Sequence, residues 1–196
     1  MPASRGQLAR NVAALSLAVA ACSGGHRTAF ADSIAAKEQL CAACHGAQGL
    51  PSDHAVPIIW GQQPAYLEKQ LTDYRNGDRA SQIMSSIAES LSEAEIARVA
   101  TDFGHRKWPA QAPTKPPAAP PAIAGCLGCH HSDLTGGISG AGIAPRLAGQ
   151  LPSYLVDTMT AYADGDRGNS SLMPALMEGL PEADRTAIAD YLAALR

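Results

Sequence analysis

The sequence contains one five-residue pattern twice, with two cysteines three positions apart and a histidine directly after the second. It reads CAACH at residues 41–45 and CLGCH at residues 126–130. Side chains three positions apart lie on one face of a helix, so both thiols of a copy can reach the same edge of a flat macrocycle. The histidine that follows is then placed to bind a metal at the centre of that ring. This pattern is typical of covalent haem attachment.

Two other chemistries also use closely spaced cysteines. A structural zinc site needs a further pair of cysteine or histidine ligands, and a thioredoxin-like redox pair does not need the histidine. Two copies within a repeat, behind an export signal, favour haem over both alternatives. We therefore predict two covalently bound haem c groups, each containing iron. The predicted thioether sites are the four cysteines of the patterns, Cys41, Cys44, Cys126 and Cys129.

The two patterns belong to a longer internal repeat. A proline followed by Gly-Gln, a Pro-x-Tyr-Leu segment and a Gly-Asp-Arg turn occur in the same order after each pattern. Equivalent residues are 85 to 89 positions apart, so short loop insertions separate otherwise matched units. The repeat predicts two tandem domains, residues 32–108 and 122–196, with residues 109–121 as a linker.

Each iron needs a sixth ligand or an open coordination position. After the leader, Met84 and Met173 are the only methionines at equivalent repeat positions, 39 and 43 residues after the pattern histidines. A thioether suits ferrous iron, and His/Met ligation raises the reduction potential relative to two histidines. We predict the ligand pairs His45 with Met84 and His130 with Met173.

The remaining methionines and histidines receive other assignments. Met159 and Met177 are both predicted to fill the core, with Met177 as the spare ligand candidate in the second domain. His54 and His105 have no counterpart in the second repeat and His131 has none in the first, so all three are predicted to lie at the surface.

Residues around each predicted iron site also follow the repeat. The carbonyl oxygens of Pro57 and Pro145 are predicted to accept the ring N–H of the ligand histidines and fix their orientation. Several aromatic and basic residues are candidates for packing on the haem rings or pairing with the propionates, with ordinary core or surface roles as the alternative. These candidates are Trp60, Tyr66, Tyr154, Arg79, Arg146 and Arg167.

The elements that would position these residues are helices, so the predicted fold class is all-α. A helix over residues 33–44 carries the first pattern, and Pro64 and Pro152 stand where prolines start helices. The capping box at residues 92–95 begins another helix, whose counterpart begins at Pro181. Each unit of about 75 residues is small for an independent core, which a bound haem would fill.

Two segments between the helices have unusual compositions. Residues 107–121 read KWPAQAPTKPPAAPP, and their six prolines predict an extended, semi-rigid connector along the domain interface. The alternative is a loop packed against one domain. The glycine-rich residues 135–142 follow no strand and lack the order of a nucleotide-binding loop. They are predicted to form a loop around a buried group.

The first 31 residues have the character of a secretory signal. Two arginines precede the apolar run 12–21, which is too short to span a bilayer. Residues 29–31 offer a small-x-small cleavage site, whereas residues 19–22 resemble a lipobox that would leave Cys22 lipidated. Both alternatives predict export to the periplasm, and membrane contact is expected only if Cys22 carries a lipid.

The net charge of the chain bears on which macromolecules could be its partners. Without the first 31 residues, which hold three arginines and no acid, the chain has 12 basic and 18 acidic residues. An acidic chain of this kind disfavours a nucleic-acid partner. Its negative charge points to a basic docking partner, with the alternative that the charge only keeps the protein soluble.

Together, the attachment patterns, the prolines and Gly-Gln pairs, the Gly-Asp-Arg turns and the leader resemble the di-haem cytochrome c4 family. The resemblance covers residues 32–196. It implies two class I cytochrome c folds that face each other, with the cysteine, histidine and methionine roles given above. It also implies a periplasmic carrier in a respiratory chain, accepting electrons from a quinol-oxidising cytochrome bc complex or a dehydrogenase and passing them to a terminal oxidase. No catalysed substrate reaction is expected.

Three other functions remain open. A dedicated electron-accepting cytochrome subunit of a periplasmic dehydrogenase would share every predicted site and differ only in its partner. A catalytic haem protein would need one iron with an open or easily displaced position. A haem sensor would need a signalling domain.

Overall fold

In the computed structural model of the chain, the described residues are 25–112, 114–140 and 142–195. The apolar run and Cys22 of the predicted leader lie outside them. No helix within these residues is long and apolar enough to cross a bilayer.

Within the part of the chain that the structure describes, four helices precede the proline-rich segment and four follow it. The first four are α1 (Gly25–His45), α2 (Pro64–Asn76), α3 (Gln82–Glu89) and α4 (Glu93–Gly104). After a 3₁₀ turn at Pro121–Ile123, the others are α5 (Ala124–His130), α6 (Pro152–Ala163), α7 (Met173–Glu178) and α8 (Glu182–Ala194). The repeat is visible in this order, because the two attachment patterns end α1 and α5.

The helix ends agree with the local sequence. Helices α2 and α6 begin at Pro64 and Pro152, where a missing backbone N–H has no cost. Helix α4 begins after a complete capping box, in which Ser92 and Glu95 satisfy each other's backbone N–H groups. These three starts confirm the sequence predictions.

Each half has its own apolar core. In the first half, α4 buries Val99 and Phe103 against Leu67 of α2 and Ile34 of α1. In the second half, α8 buries one face against α6, α7 and the 3₁₀ turn. The buried members of that core are Ile123, Leu134, Ala148, Leu155, Met159, Tyr162, Met177, Ile188, Ala189 and Leu192.

The glycine-rich segment differs from its prediction. Residues 135–142 were expected to form a loop, but Gly137–Ser139 (β1) and Gly142–Ala144 (β2) pair as an antiparallel hairpin. Gly137 and Gly142 both have positive φ angles, which let so short a hairpin close. Ile138 in the middle of β1 is 77% exposed, so this side chain does not surround a buried group.

The connector has no helix or strand over the described residues between Pro109 and Pro120. Its beginning is anchored: the Arg146 guanidinium lies 4.4 Å from the Trp108 ring centre, and the Gln111 amide donates to the Gly149 carbonyl. Residues 114–119 are exposed.

A pair of glycine substitutions tests how closely the connector fits. Gly149 and Gly165 both have φ near +80°, but a Cβ on Gly149 would lie 2.9 Å from Trp108 Nε1, whereas Gly165 has open space. We expect Gly165→Ala to lower the free energy of unfolding by about 1 kcal/mol through backbone strain. Gly149→Ala should lower the free energy of unfolding by about 2–4 kcal/mol, because overpacking against Trp108 adds to the backbone strain. Unfolding of both variant holoproteins in guanidinium chloride measures these losses. Equal losses in the two variants would contradict a close fit of the connector at Gly149.

Candidate functional site

The two pattern histidines are held in the same way. His45 Nδ1 lies 2.8 Å from the Pro57 carbonyl oxygen, and His130 Nδ1 lies 2.9 Å from that of Pro145. A carbonyl oxygen only accepts, so each Nδ1 carries the hydrogen and each Nε2 keeps its lone pair. Burial lowers the pKa of both histidines, which keeps the rings neutral, as a metal ligand must be. The predicted carbonyl contacts are therefore confirmed.

No disulfide joins any of the four pattern cysteines, all of which lie within the described residues. Burial raises the pKa of Cys41 and of Cys126, which favours the neutral thiol. A thioredoxin-like redox pair needs the opposite shift, toward the thiolate. The cysteine environment therefore does not fit that alternative.

A cavity lined mostly by the first domain, and closed on one side by residues of the second, brings the predicted site residues of the first domain together. Cys41, Cys44, His45 and Met84 all line it. Most of its wall is apolar, as an iron porphyrin requires. The apolar lining includes Leu40, Ile59, Leu67, Leu71, Ile83, Ile87, Val99 and Phe103.

The methionines of the second domain occupy two different environments. Met173 is partly exposed at the start of α7 and packs, like Cys126, against the core of that half. Met177 lies one turn later and is buried inside the same core, as is Met159 of α6. The predicted core role of Met159 is therefore confirmed.

The segments before the two predicted methionine ligands are also alike. The Ser81 hydroxyl accepts from the Met84 backbone N–H at 3.2 Å, and the Ser170 hydroxyl accepts from that of Met173 at 3.3 Å. Each methionine backbone is thus fixed by a serine three residues earlier, which was not anticipated from the sequence.

Two glutamines join the domains in a reciprocal way that sequence reasoning missed. Gln62 donates to the Arg146 carbonyl and accepts from the Arg146 N–H, at 3.0 and 2.6 Å. Gln150, its repeat equivalent, donates to the Ile58 carbonyl and accepts from the Ile58 N–H, at 3.0 and 2.9 Å. Both side chains are buried, so these bonds are shielded from water. We call this pair of glutamines the amide clasp.

A polar cluster lies beside the clasp, centred on Arg167. This side chain is 4% exposed and donates across the interface to the Tyr66 hydroxyl and the Gln70 amide oxygen, at 3.0 and 2.8 Å. It also bonds Asn169 and lies over the Tyr162 ring. Among the described residues, its Nη1 is buried without a hydrogen-bond partner. A buried guanidinium with a free N–H fits an anionic group such as a haem propionate.

Arg79, the repeat equivalent of Arg167, belongs to the same cluster. It donates to the Gln70 amide oxygen at 2.7 Å and lies near the Tyr154 hydroxyl, at 3.5 Å. Burial alone would raise the pKa of Tyr154, but the positive charges of Arg79 and Arg167 lower it to about 8. Both arginines therefore place positive charge beside Tyr154, and their pairing with a propionate stays a prediction.

The remaining residues singled out from the sequence lie in three places: the cavity, the first core and the surface. The cavity described above is also lined by Tyr66, Tyr154, Arg79 and Arg146. Trp60 packs instead against the first core, with the Arg106 guanidinium 4.9 Å from its ring centre. The exposed positions confirm the surface assignment of the three remaining histidines, His54, His105 and His131.

Comparison with known proteins decides the family. No family model matches the chain. A cytochrome c4 from Pseudomonas aeruginosa is 30% identical over 174 residues, which cover 82% of this chain and 86% of that protein. The chain belongs to the cytochrome c4 family. Two tandem class I cytochrome c domains therefore account for the repeated helices.

Two further comparisons agree with membership in the cytochrome c4 family. The solved cytochrome c4 of Acidithiobacillus ferrooxidans superposes with a TM-score of 0.70 at 31% identity, covering 81% of this chain and 99% of that one. A thiosulfate dehydrogenase electron acceptor from Thiomonas intermedia is 31% identical, over 79% of this chain and 77% of that protein.

Membership establishes the cofactor and the general role. As a cytochrome c4, the chain carries two covalently bound haem c groups. It is an electron-transfer protein and not a catalytic enzyme. The neutral histidines, the apolar cavity and the free N–H of Arg167 fit such a group.

Proposed function

We propose that the repeated site residues hold the two haem groups pairwise. Cys41 and Cys44 attach the first, and Cys126 and Cys129 attach the second. His45 with Met84, and His130 with Met173, bind the two irons. The observation that carries this assignment is the matched bond from each histidine to a proline carbonyl, which leaves Nε2 available in both domains. The domains are residues 32–108 and 122–196, joined by residues 109–121.

The residues favour outer-sphere electron transfer. A bound haem iron supplies the one-electron chemistry. If a histidine and a methionine hold each iron, few ligands would move when the charge changes. The apolar walls of the cavity disfavour extra charge and so favour the reduced state. Cys44 is exposed, so the attachment edge lies where a partner can approach.

Removing one cysteine pair tests the attachment directly. Cys126→Ala with Cys129→Ala should give a chain with one covalent haem instead of two, because both thioether bonds of the second group are lost. Mass spectrometry of the purified holoprotein and the haem-to-protein ratio measure this. The matched control is Cys41→Ala with Cys44→Ala, which should leave the second group attached. Two covalent groups in either double variant would contradict the assignment.

We further propose a place for this carrier in a periplasmic respiratory chain. The donor is a quinol-oxidising cytochrome bc complex or a dehydrogenase, and the acceptor is a terminal oxidase. The export signal and the acidic balance of residues 32–196 support this placement. The purified reduced protein should be oxidised by membranes that contain the oxidase, at a rate that falls as salt is added.

A second function is favoured by one comparison. The Thiomonas intermedia relative is named as the electron acceptor of thiosulfate dehydrogenase. The present chain would then be the dedicated cytochrome subunit of a periplasmic dehydrogenase. Purification of the native protein under low salt discriminates the two functions: a subunit elutes with a dehydrogenase in fixed ratio, and a free carrier elutes alone.

A further inference from the structure

One peptide group in each domain connects the pattern histidine to a residue of the opposite domain. In the first domain it joins Pro57 to Ile58. Its carbonyl oxygen accepts from His45 Nδ1 at 2.8 Å, and its N–H donates to Gln150 Oε1 at 2.9 Å. A single planar amide therefore lies between the histidine and a glutamine of the second domain.

The second domain repeats the arrangement with the roles exchanged. The peptide group joins Pro145 to Arg146. Its carbonyl oxygen accepts from His130 Nδ1 at 2.9 Å, and its N–H donates to Gln62 Oε1 at 2.6 Å. Each histidine is thus linked, through one peptide, to the clasp glutamine of the other domain.

The orientation of both clasp amides is fixed. Gln62 Oε1 also accepts from the Gln63 N–H, and Gln150 Oε1 also accepts from the Leu151 N–H, both at 2.9 Å. An amide nitrogen could not accept two backbone N–H groups, so neither amide can be turned over. The two side chains are 3% and 2% exposed, so water does not compete for these bonds.

Hydrogen bonds that share one peptide polarise each other. When the peptide N–H donates to a glutamine oxygen, electron density at the carbonyl oxygen increases, and that oxygen becomes a better acceptor. A stronger bond to Nδ1–H makes the imidazole a more basic ligand. A more basic ligand stabilises ferric iron and lowers the reduction potential.

We propose that the amide clasp sets the reduction potentials crosswise: Gln150 lowers that of the haem in the first domain, and Gln62 lowers that of the haem in the second. Both act as positioning residues, through a peptide and a histidine. The inference rests on the proposed ligation by His45 and His130. Its consequence is that docking of the domains and the two potentials depend on the same two glutamines.

Leucine variants test the crosswise pattern. In the Gln150→Leu holoprotein, the ferrous-to-ferric ratio of the first-domain haem at fixed ambient potential should rise threefold to tenfold. At 59 mV per tenfold change, this is about 30–60 mV. The second-domain haem should change little. Gln62→Leu should give the reverse pattern. Redox titration followed by haem-methyl NMR signals, assigned to each domain, measures both haems.

A second pair of variants separates tuning from loss of domain contact. Gln63→Ala removes an interface bond to the Thr135 carbonyl but leaves both proline peptides untouched. Neither reduction potential should therefore show the crosswise shift. Gln150→Glu keeps an oxygen that accepts from the Ile58 N–H, so the first potential should stay at or below the original. Potentials that shift in the same domain as the substitution, that shift equally in both, or that do not shift would overturn the proposal.

The ring N–H signals keep this test distinct from that of the ligand assignment. Hyperfine-shifted signals from His45 and His130 show that both histidines bind iron. If they are present and the potentials do not follow the crosswise pattern, only the clasp proposal fails. If they are absent from the unmodified protein, the ligand assignment itself fails.

Discussion

Met173→Ala should open the second iron to carbon monoxide, whereas Met177→Ala should leave it closed. Met173 has the repeat position of Met84 and the same serine contact to its backbone N–H. Its loss removes a thioether ligand, so the reduced protein should bind one carbon monoxide per chain. The potential of that haem should also fall, because the thioether favours ferrous iron. Difference spectra with and without carbon monoxide measure the first effect.

Met177 is the matched control because it is a methionine of the same short helix. It is buried in the core of the second half, so Met177→Ala should cost about 2–5 kcal/mol of stability without changing the iron ligands. Met84→Ala should open the first iron in the same way as Met173→Ala opens the second. If Met177→Ala bound carbon monoxide and the spectrum of Met173→Ala were unchanged, Met177 would be the iron ligand and Met173 would not.

The second large effect is expected at Arg167. Arg167→Met keeps the length of the side chain but removes its bonds to Tyr66, Gln70 and Asn169. Hydrogen bonds from a charged group contribute about 1.5–3 kcal/mol each, and buried partners left unpaired add a penalty. We expect the free energy of unfolding of the holoprotein to fall by about 3–5 kcal/mol. The potential of at least one haem should also fall, because a positive charge near a ring disfavours ferric iron.

Arg98 provides the matched control for Arg167. It pairs with Asp102 across one turn of α4 on the surface, and such exposed pairs contribute little. Arg98→Met should therefore leave both stability and potentials nearly unchanged. The two variants should therefore differ clearly in their free energies of unfolding, measured with denaturant, and in their haem potentials, measured by redox titration. A similar small effect from both would mean that the Arg167 cluster is not coupled to the haem groups.

Short-range features of the site could be predicted from sequence. The cysteine spacing, the following histidine and the proline 12 or 15 residues later are separated by few residues, so the local chain largely determines their geometry. The helix starts at Pro64, Pro152 and Ser92 are equally local, because caps and prolines act within one turn.

The amide clasp could not be predicted in the same way. Gln62 and Gln150 were visible as repeat partners, yet their bonds reach 84 and 92 residues along the chain. Such bonds depend on how two folded halves meet, which spacing does not encode. A signal was nevertheless present: a glutamine after a glycine, at the same place in both repeats, suggested a polar role that each half would use once.

The hairpin at residues 137–144 shows a different limit. Its strands have three residues each and little alternation, so periodicity gives no strand signal. Glycines that favour a loop also permit the positive φ angles that close this hairpin. Amino-acid composition alone therefore does not distinguish a loop from a hairpin in this segment.

The proline-rich connector has a consequence for how strongly the two halves must attract each other. Residues 109–120 tie them together, and about 3.1 Å per residue in an extended chain gives a reach of roughly 40 Å. A tether of this length holds one half near the other at an effective concentration on the order of millimolar. Two glutamines and one arginine cluster can then keep the halves together, although the same contacts between separate molecules would be weak. A small number of buried polar contacts is therefore enough for this interface, because the covalent chain keeps the two halves at a high effective concentration.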